Sequence, residues 1–169
     1  ARRIVVTSAP GKRHDDDHKV TDLLLMCQQL AEHNIDISEV FAMLEDRYKG
    51  IAEGLGLSSD VAGELAKIRS EIQEGASADY VASRGEYLNA LLLADYLGYR
   101  FLDAADVVVF SGGGKYKEAE TLERLTPALE EPGGVVVPGF YGADEDGQIH
   151  TFSRGGSDVT GAIVAQAAD

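Results

Sequence analysis

Residues 134–158, GVVVPGFYGADEDGQIHTFSRGGSD, combine the patterns that decide the fold. The apolar run at residues 134–137 predicts a buried strand, which Pro138 and Gly139 end. Segments 140–142 and 148–152 flank an acidic turn and predict a hairpin. The small apolar residues at 159–168 then predict a helix. A strand, a Gly-Gly turn and a helix in this order can hold an anion, because the first helical turn carries free N–H groups.

The turn at residues 153–158, Ser-Arg-Gly-Gly-Ser-Asp, has two interpretations. In the structural one, the glycines are turn residues and Ser157 or Asp158 caps the helix. In the functional one, Arg154 offers a planar pair of donors to a carboxylate or phosphate. Taken alone, these six residues favour the cap at least as strongly as the ligand site.

The remaining chain alternates between strands and helices. Residues 4–7 are a β-branched run that predicts a buried parallel strand, and a charged loop follows it. Thr21 and Asp22 are N-cap candidates for the first helix. Further elements are predicted as helices at 23–34, 38–54, 60–75, 79–97 and 118–130 and as strands at 99–102 and 107–110. This order predicts an α/β fold with a mainly parallel sheet.

Composition excludes some classes of function. The length of 169 residues fits one domain with a real core. The formal net charge of −14 leaves no basic stripe for phosphates, so we expect no nucleic-acid partner. Because no apolar stretch approaches a membrane span, we expect no membrane partner either. The single cysteine, Cys27, lies in an apolar run and is compatible with a reducing cytoplasm.

Ser83-Arg84-Gly85-Glu86 also has two interpretations. Ser83 and Glu86 have the spacing of a capping box, which would start the helix near Ser83. Alternatively, Glu86 is carried by a buried helix to the edge of a site, where its carboxylate meets a cation. Judged alone, the pattern favours the capping box.

Two charged or glycine-rich loops carry weaker signals. The run of histidines and aspartates at residues 14–18 has no partner at metal-ligand spacing, so we interpret it as a solvated loop and predict no metal site. Residues 112–115, Gly-Gly-Gly-Lys, lack the spacing of a phosphate loop. A flexible turn is the prediction there, with a secondary role near phosphates left open.

Three separated stretches together resemble the aspartokinase family of the amino-acid kinase superfamily. The first is VVTSAPGK at residues 5–12 with KVTDLL at 19–24. The second is SRGEYL at 83–88, and the third is PGFYG at 138–142 with TFSRGGSD at 151–158. Their order and spacing agree with the family across nearly the whole chain.

The resemblance implies a fold and an activity. The fold would be a three-layer α/β/α sandwich with a mainly parallel sheet, of the amino-acid kinase or carbamate kinase type, truncated to the amino-acid-binding half of a catalytic domain over residues 1–169. The activity would be phosphoryl transfer from ATP to the side-chain carboxylate of L-aspartate, with Mg²⁺ carried by the nucleotide. In the family this reaction opens lysine, threonine and methionine biosynthesis. We also expect a cytoplasmic homo-oligomer.

The resemblance also assigns roles to individual residues. Arg154 and Asp158 would be catalytic: Arg154 grips a carboxylate of aspartate, and Asp158 orients a lysine and the substrate. Glu86 would meet the substrate's amino group or organise a lysine. The other substrate contacts would come from Ser8, Thr21, Phe140, Gly155, Gly156 and Ser157. Ser8 and Gly11 would contact the nucleotide.

The chain departs from the family at both ends. The family begins with a strand and Lys-Phe-Gly-Gly and continues past the Arg-Gly-Gly-Ser-Asp helix into nucleotide-binding and ACT regions. We therefore expect these 169 residues alone to have negligible kinase activity and to oligomerise or be marginally stable. Two alternatives stay open: a non-catalytic amino-acid-binding or interaction domain, and an amino-acid kinase for another carboxylate or carbamate.

Overall fold

A computed structural model of the chain describes residues 3–153 and 155–169. The helices in these ranges are Val20–Glu32 (α1), Ser38–Leu55 (α2), Val61–Gln73 (α3), Ala78–Leu97 (α4), Ala104–Val107 (α5), Glu118–Glu130 (α6) and Gly156–Ala168 (α7). The strands are Arg3–Thr7 (β1), Arg100–Phe101 (β2), Gly134–Pro138 (β3), Tyr141–Ala143 (β4) and Ile149–Thr151 (β5). None of the helices in the described ranges has the length and apolarity needed to cross a membrane.

The central sheet is parallel, with the strand order β1-β3-β2. Its register pairs Thr7 with Pro138, so the carboxyl ends of β1 and β3 lie side by side. Strands β4 and β5 form the predicted antiparallel hairpin, with Tyr141 opposite Thr151. The predicted mainly parallel sheet is therefore confirmed, together with its local antiparallel element.

Helices cover both faces of the sheet. Val136 of β3 faces α4 and packs with Ala90 and Ala94. Its neighbours Val135 and Val137 face the opposite way, into a cluster with side chains from α6 and α7. Successive strand residues point to opposite faces, so a strand covered on both sides needs a continuous apolar run. The three-layer sandwich is confirmed.

A second core joins α1, α2, α3 and α4 on the outer side of the α4 layer. Phe41, Tyr48, Leu65 and Ile68 are fully buried there, at the helical spacing that the sequence predicts. Cys27 lies in this core as a small buried residue, and burial raises the pKa of its thiol to about 11. A thiol in this state is inert, as a structural cysteine is expected to be.

Most of the N-cap predictions are wrong. Helix α1 begins at Val20, so Thr21 and Asp22 lie inside its first turn. Helix α7 begins at Gly156, so Ser157 and Asp158 are also first-turn residues. Gly155 takes the cap position of α7 with φ 56°, a left-handed conformation that glycine adopts without strain.

The predicted capping box at Ser83 is also wrong. Helix α4 starts at Ala78, where the N-cap Ser77 accepts a hydrogen bond from Tyr80 N–H at 3.2 Å. Ser83 lies in the helix interior and donates its hydroxyl to the Tyr80 carbonyl at 2.6 Å. Glu86 is therefore an interior residue of a buried helix, which leaves its carboxyl group available for another role.

The strand predicted at residues 107–110 is replaced by a helical turn and two isolated bridges. Asp103 caps α5 by accepting a hydrogen bond from Ala105 N–H, which keeps the chain helical up to Val107. Val109 then bridges to Ala143, and Phe110 bridges to Tyr116. The apolar residues at 107–110 are buried as predicted, but Val107 ends a helical turn and only Val109 and Phe110 form bridges.

Candidate active site

The carboxyl ends of β1 and β3 form the edge on which the candidate site is built. Gly139 N–H donates to the Thr7 carbonyl at 2.9 Å, so the loops that leave the two strands stay adjacent. Ligands of open parallel sheets bind in the crevice beyond this edge. The site residues predicted in the loop after β1 and at the start of α7 therefore reach one side of the molecule.

The N-terminus of α7 is docked against the loop after β3 through glycines. A Cβ atom on Gly139 would lie 2.8 Å from the backbone Cα of Ser157. A Cβ atom on Gly156 would lie 2.4 Å from the ring of Phe140. Of the predicted substrate contacts, Phe140, Gly156 and Ser157 are thus brought together, and glycine is required for that approach.

Gly139→Ala is expected to separate α7 from the strand edge. The added methyl group collides with the backbone of Ser157, so the helix must shift, and such overpacking costs roughly 1–3 kcal/mol of stability. Gly161→Ala in the same helix is the matched control, because a Cβ atom there meets nothing within 4 Å. The control should be stabilised by about 0.5–1 kcal/mol. Urea denaturation of both variants checks this, and equal stabilities would contradict it.

Phe140 has a strained backbone held by two hydrogen bonds. Its φ of 85° is rare for a residue with a side chain. Phe140 N–H donates to the Thr160 hydroxyl at 3.0 Å, and its carbonyl accepts from Phe152 N–H at 2.9 Å. Strain that the surroundings hold in place is typical of ligand sites, and here it lies beside the start of α7.

Helix α4 closes the other side of the site. A Cβ atom on Gly85 would lie 3.0 Å from Cβ of Ala9 and 3.2 Å from Val20, so α4 contacts both the loop after β1 and the start of α1. Asn89, one turn further, donates to the Thr7 hydroxyl at 2.9 Å and to the Ser8 carbonyl at 2.7 Å. Sequence reasoning missed Asn89, although its i+3 spacing from Glu86 was a usable signal.

Glu86 is the chemically exceptional residue of the site. Its side chain is buried, with a residue exposure of 7%, and within residues 3–153 and 155–169 its Oε2 atom has no hydrogen-bond partner. Burial raises the pKa of this carboxyl group to about 7, against the opposing effects of its own N–H, Ala9 N–H and the Arg84 charge. A buried carboxylate with a free oxygen is suited to bind a cationic group.

A buried ion pair shapes the loop between β1 and α1. Arg47 Nη2 of α2 lies 2.6 Å from Asp17 Oδ2, and both side chains are less than 5% exposed. Arg47 also donates to the carbonyls of Gly11 and His18, each at 3.1 Å. Hydrogen bonds from Arg13, and then the Arg47 charge, keep the pKa of Asp17 well below its usual range. The predicted solvated loop is therefore wrong at Asp17, and Arg47 was missed.

Other predicted site residues lie in the loop after β1 and in the first turns of α1 and α7. Ser8 is exposed at the end of β1, and Thr21 is half-buried beside Val20. Gly11 lies further along the loop, and Asp158 is exposed in the first turn of α7. The predictions for Arg154 lie outside the described residues.

The glycine-rich segment 112–114 forms the predicted turn, with Gly114 N–H donating to the Ser111 carbonyl at 2.8 Å. It lies beside the β4–β5 hairpin, where Gly112 shares a cavity with Asp144, Glu145 and Asp146. In the part of the chain that the structure describes, no group of three or more His, Cys, Asp or Glu side chains is placed to hold a metal ion.

The chain belongs to the amino acid kinase family, whose sequence model matches residues 2–169. Within that family it is similar to aspartokinases, which confirms the resemblance. Aspartokinase 3 of Bacillus subtilis is 35% identical over 182 residues, covering 98% of this chain and 39% of the relative.

Solved structures agree with this placement. The crystal structure of Clostridium acetobutylicum aspartate kinase matches with a TM-score of 0.94 at 42% identity, over 98% of this chain and 38% of that one. Escherichia coli aspartokinase III in complex with aspartate and ADP matches with a TM-score of 0.74 at 26% identity, over 98% and 40%. The chain spans about two fifths of the length of these relatives.

Proposed function

We propose that this chain is the amino-acid-binding half of an aspartokinase catalytic domain, which transfers a phosphoryl group from ATP to the side-chain carboxylate of L-aspartate. The observation that carries the proposal is the buried Glu86 carboxylate, whose Oε2 atom has no partner within the described residues. Glu86 follows Gly85, which packs against Ala9 in the loop after β1. Strand β1 is paired with β3, and the loop after β3 packs against the start of α7. Similarity to aspartokinases, one of them solved with aspartate and ADP, supports the choice of substrate.

The substrate itself explains why both signs of charge are needed. L-aspartate carries an ammonium group and two carboxylates. Ionised Glu86 would bind the ammonium group, since a buried carboxylate gains most from a cationic partner. Arg154 and the free N–H groups of the first turn of α7 would bind a carboxylate. Gly155 and Gly156 allow the substrate to approach this backbone.

The phosphoryl transfer brings an anion towards a polyanion, so catalysis depends on positioning and on offsetting charge. Ser8, Thr21 and Ser157 would line the path between the carboxylate and the phosphates, with Gly11 near the nucleotide. Asp158 would orient a cationic group and the substrate. Mg²⁺, bound to the nucleotide phosphates, supplies charge neutralisation in such reactions.

Calorimetry with L-aspartate and with succinate tests the amino-group contact. Succinate has the same two carboxylates but no ammonium group, so it leaves Glu86 unpaired. In the full gene product that carries this chain, we expect succinate to bind at least tenfold more weakly than L-aspartate. Equal affinities would contradict the role of Glu86.

An acyl-phosphate (hydroxamate) assay on the same gene product separates the alternatives. Formation of aspartyl hydroxamate with MgATP supports the kinase. Binding of L-aspartate without turnover would instead indicate a non-catalytic amino-acid-binding domain, and turnover of another carboxylate would indicate a different kinase. The homo-oligomeric state and the cytoplasmic location remain predictions, and size-exclusion chromatography tests the first of them.

A further inference from the structure

Asn89 of α4 holds the peptide group that joins Ser8 to Ala9. Its Nδ2 atom donates to the Ser8 carbonyl at 2.7 Å and to the Thr7 hydroxyl at 2.9 Å. The Thr7 hydroxyl donates to the same Ser8 carbonyl at 3.0 Å. The carbonyl therefore accepts two hydrogen bonds, which fixes the orientation of a peptide group just beyond the end of β1.

Fixing this carbonyl also fixes the N–H group on the other side of the peptide. A trans peptide is planar, with its C=O and N–H pointing in opposite directions. The N–H belongs to Ala9, which contacts α4 at Gly85 and lies near enough to the Glu86 carboxylate to favour its charged form. Asn89 and Glu86 are three residues apart, so they share one face of α4.

We propose that Asn89 is a positioning residue for the amino-acid site: it orients the Ser8–Ala9 peptide so that Ala9 N–H supports the Glu86 carboxylate while Oε2 stays free for the ammonium group. This rests on the proposed function of Glu86. Asn89 and Glu86, both on α4, then contact the carbonyl and the N–H group of the Ser8–Ala9 peptide, respectively. It holds the carboxylate with a neutral donor, which acts in addition to the nearby Arg84 charge.

Loss of the Asn89 donor should change the pKa of Glu86, which would not follow if Asn89 only stabilised the fold. A freed peptide no longer directs Ala9 N–H at Glu86, so the pKa of that carboxyl group rises further above its usual range. Less carboxylate is then present at neutral pH. The affinity for the ammonium-bearing substrate falls, and the acid limb of the pH profile moves to higher pH.

The test compares Asn89→Ala and Asn89→Asp with the wild type in the full gene product that carries this chain. Asn89→Ala removes the donor without adding a charge, and Asn89→Asp places an acceptor against the Ser8 carbonyl. For both we expect KM for L-aspartate to rise about tenfold or more, with the acid limb of kcat/KM shifted to higher pH. The shift should be larger for Asn89→Asp, because two carboxylates then repel each other.

Asn34→Asp is the matched control for the added charge. Asn34 is exposed after α1, and its φ of 55° is one that aspartate tolerates. This variant should keep KM within twofold of the wild type. Wild-type KM in both Asn89 variants, or a raised KM without a shift of the acid limb, would overturn the proposal, as would unfolding of both variants at neutral pH.

Glu86→Gln, measured in parallel, distinguishes failure of the inference from failure of the proposed function. If Glu86→Gln binds L-aspartate like the wild type, the proposed role of Glu86 fails and the inference fails with it. If Glu86→Gln loses L-aspartate but the Asn89 variants keep it, only the role of Asn89 fails.

Discussion

Glu86→Gln is expected to lower the affinity for L-aspartate by about 30-fold to 5,000-fold, because truncating one side of a buried charge pair typically costs about 2–5 kcal/mol. Gln has nearly the same shape as Glu but cannot neutralise an ammonium group. The bound ammonium group would then lack a counter-charge from Glu86, whose Oε2 atom has no other partner in the part of the chain that the structure describes. Calorimetry with L-aspartate measures the change, and unchanged affinity would contradict the proposed site.

The same substitution should stabilise the chain at alkaline pH. The pKa of Glu86 is raised from an ordinary value of 4.5 to about 7, so the folded state binds its proton more tightly than the unfolded state. The corresponding stability is fully present below about pH 4.5 and is lost as pH rises through about 7. Because Gln stays neutral, the variant should exceed the wild type by roughly 2–4 kcal/mol at pH 8.

Urea denaturation of the chain at pH 5 and pH 8 checks this pH dependence. The advantage of Glu86→Gln should be small at pH 5 and large at pH 8. Glu53→Gln is the control, because Glu53 is exposed near the end of α2 and such surface changes stay within about 0.5 kcal/mol. If Glu86→Gln were more stable than the wild type by the same amount at both pH values, Glu86 would not have the raised pKa that its burial requires.

The second large effect is expected for Arg47→Met. The substitution leaves Asp17 buried with the largely exposed Arg13 as its one remaining ionic partner among residues 3–153 and 155–169. It also removes the donors to the carbonyls of Gly11 and His18. Breaking a buried pair by removing one partner costs about 3–5 kcal/mol, and the Arg13 contact places this case near 3 kcal/mol. Urea denaturation measures the loss.

The acid side of the stability profile gives a second readout for Arg47. The pKa of Asp17 is lowered in the folded state, so its contribution is present above the ordinary pKa of 3.8 and is lost as pH falls towards the folded value. Arg47→Met should weaken this acid dependence. Arg124→Met changes an exposed arginine of α6 and should cost less than about 0.5 kcal/mol. Similar losses in the two variants would contradict a stabilising role for the Arg47–Asp17 ion pair.

The errors in helix starts have one physical cause. A Ser-x-x-Glu pattern is compatible with a helix start, but nothing in it prevents the helix from continuing through Ser83. Ser77 caps α4 six residues earlier, and Ser83 donates its hydroxyl to the Tyr80 carbonyl instead. Caps are local and weak compared with burial of a whole helix, so packing decides which candidate is used.

The sequence by itself determined most of the order of elements, the parallel sheet and the family. Continuous apolar runs identify strands covered on both faces, and the Ser-Arg-Gly-Glu and Arg-Gly-Gly-Ser-Asp stretches carry the family resemblance. These features depend on neighbours along the chain, which a sequence displays directly. They also indicated Glu86 as a candidate site residue before its surroundings were known.

Only the tertiary structure decided which groups surround Glu86, Asp17 and Asn89. Asp17 meets Arg47 across 30 residues, and Asn89 meets Ser8 across 81, distances over which a single sequence gives no pairing signal. The pKa of Glu86 depends on burial by several elements at once. Charge and hydrogen bonding act through space, so the properties of these residues arise only when the sheet edge, α4 and the loop after β1 come together.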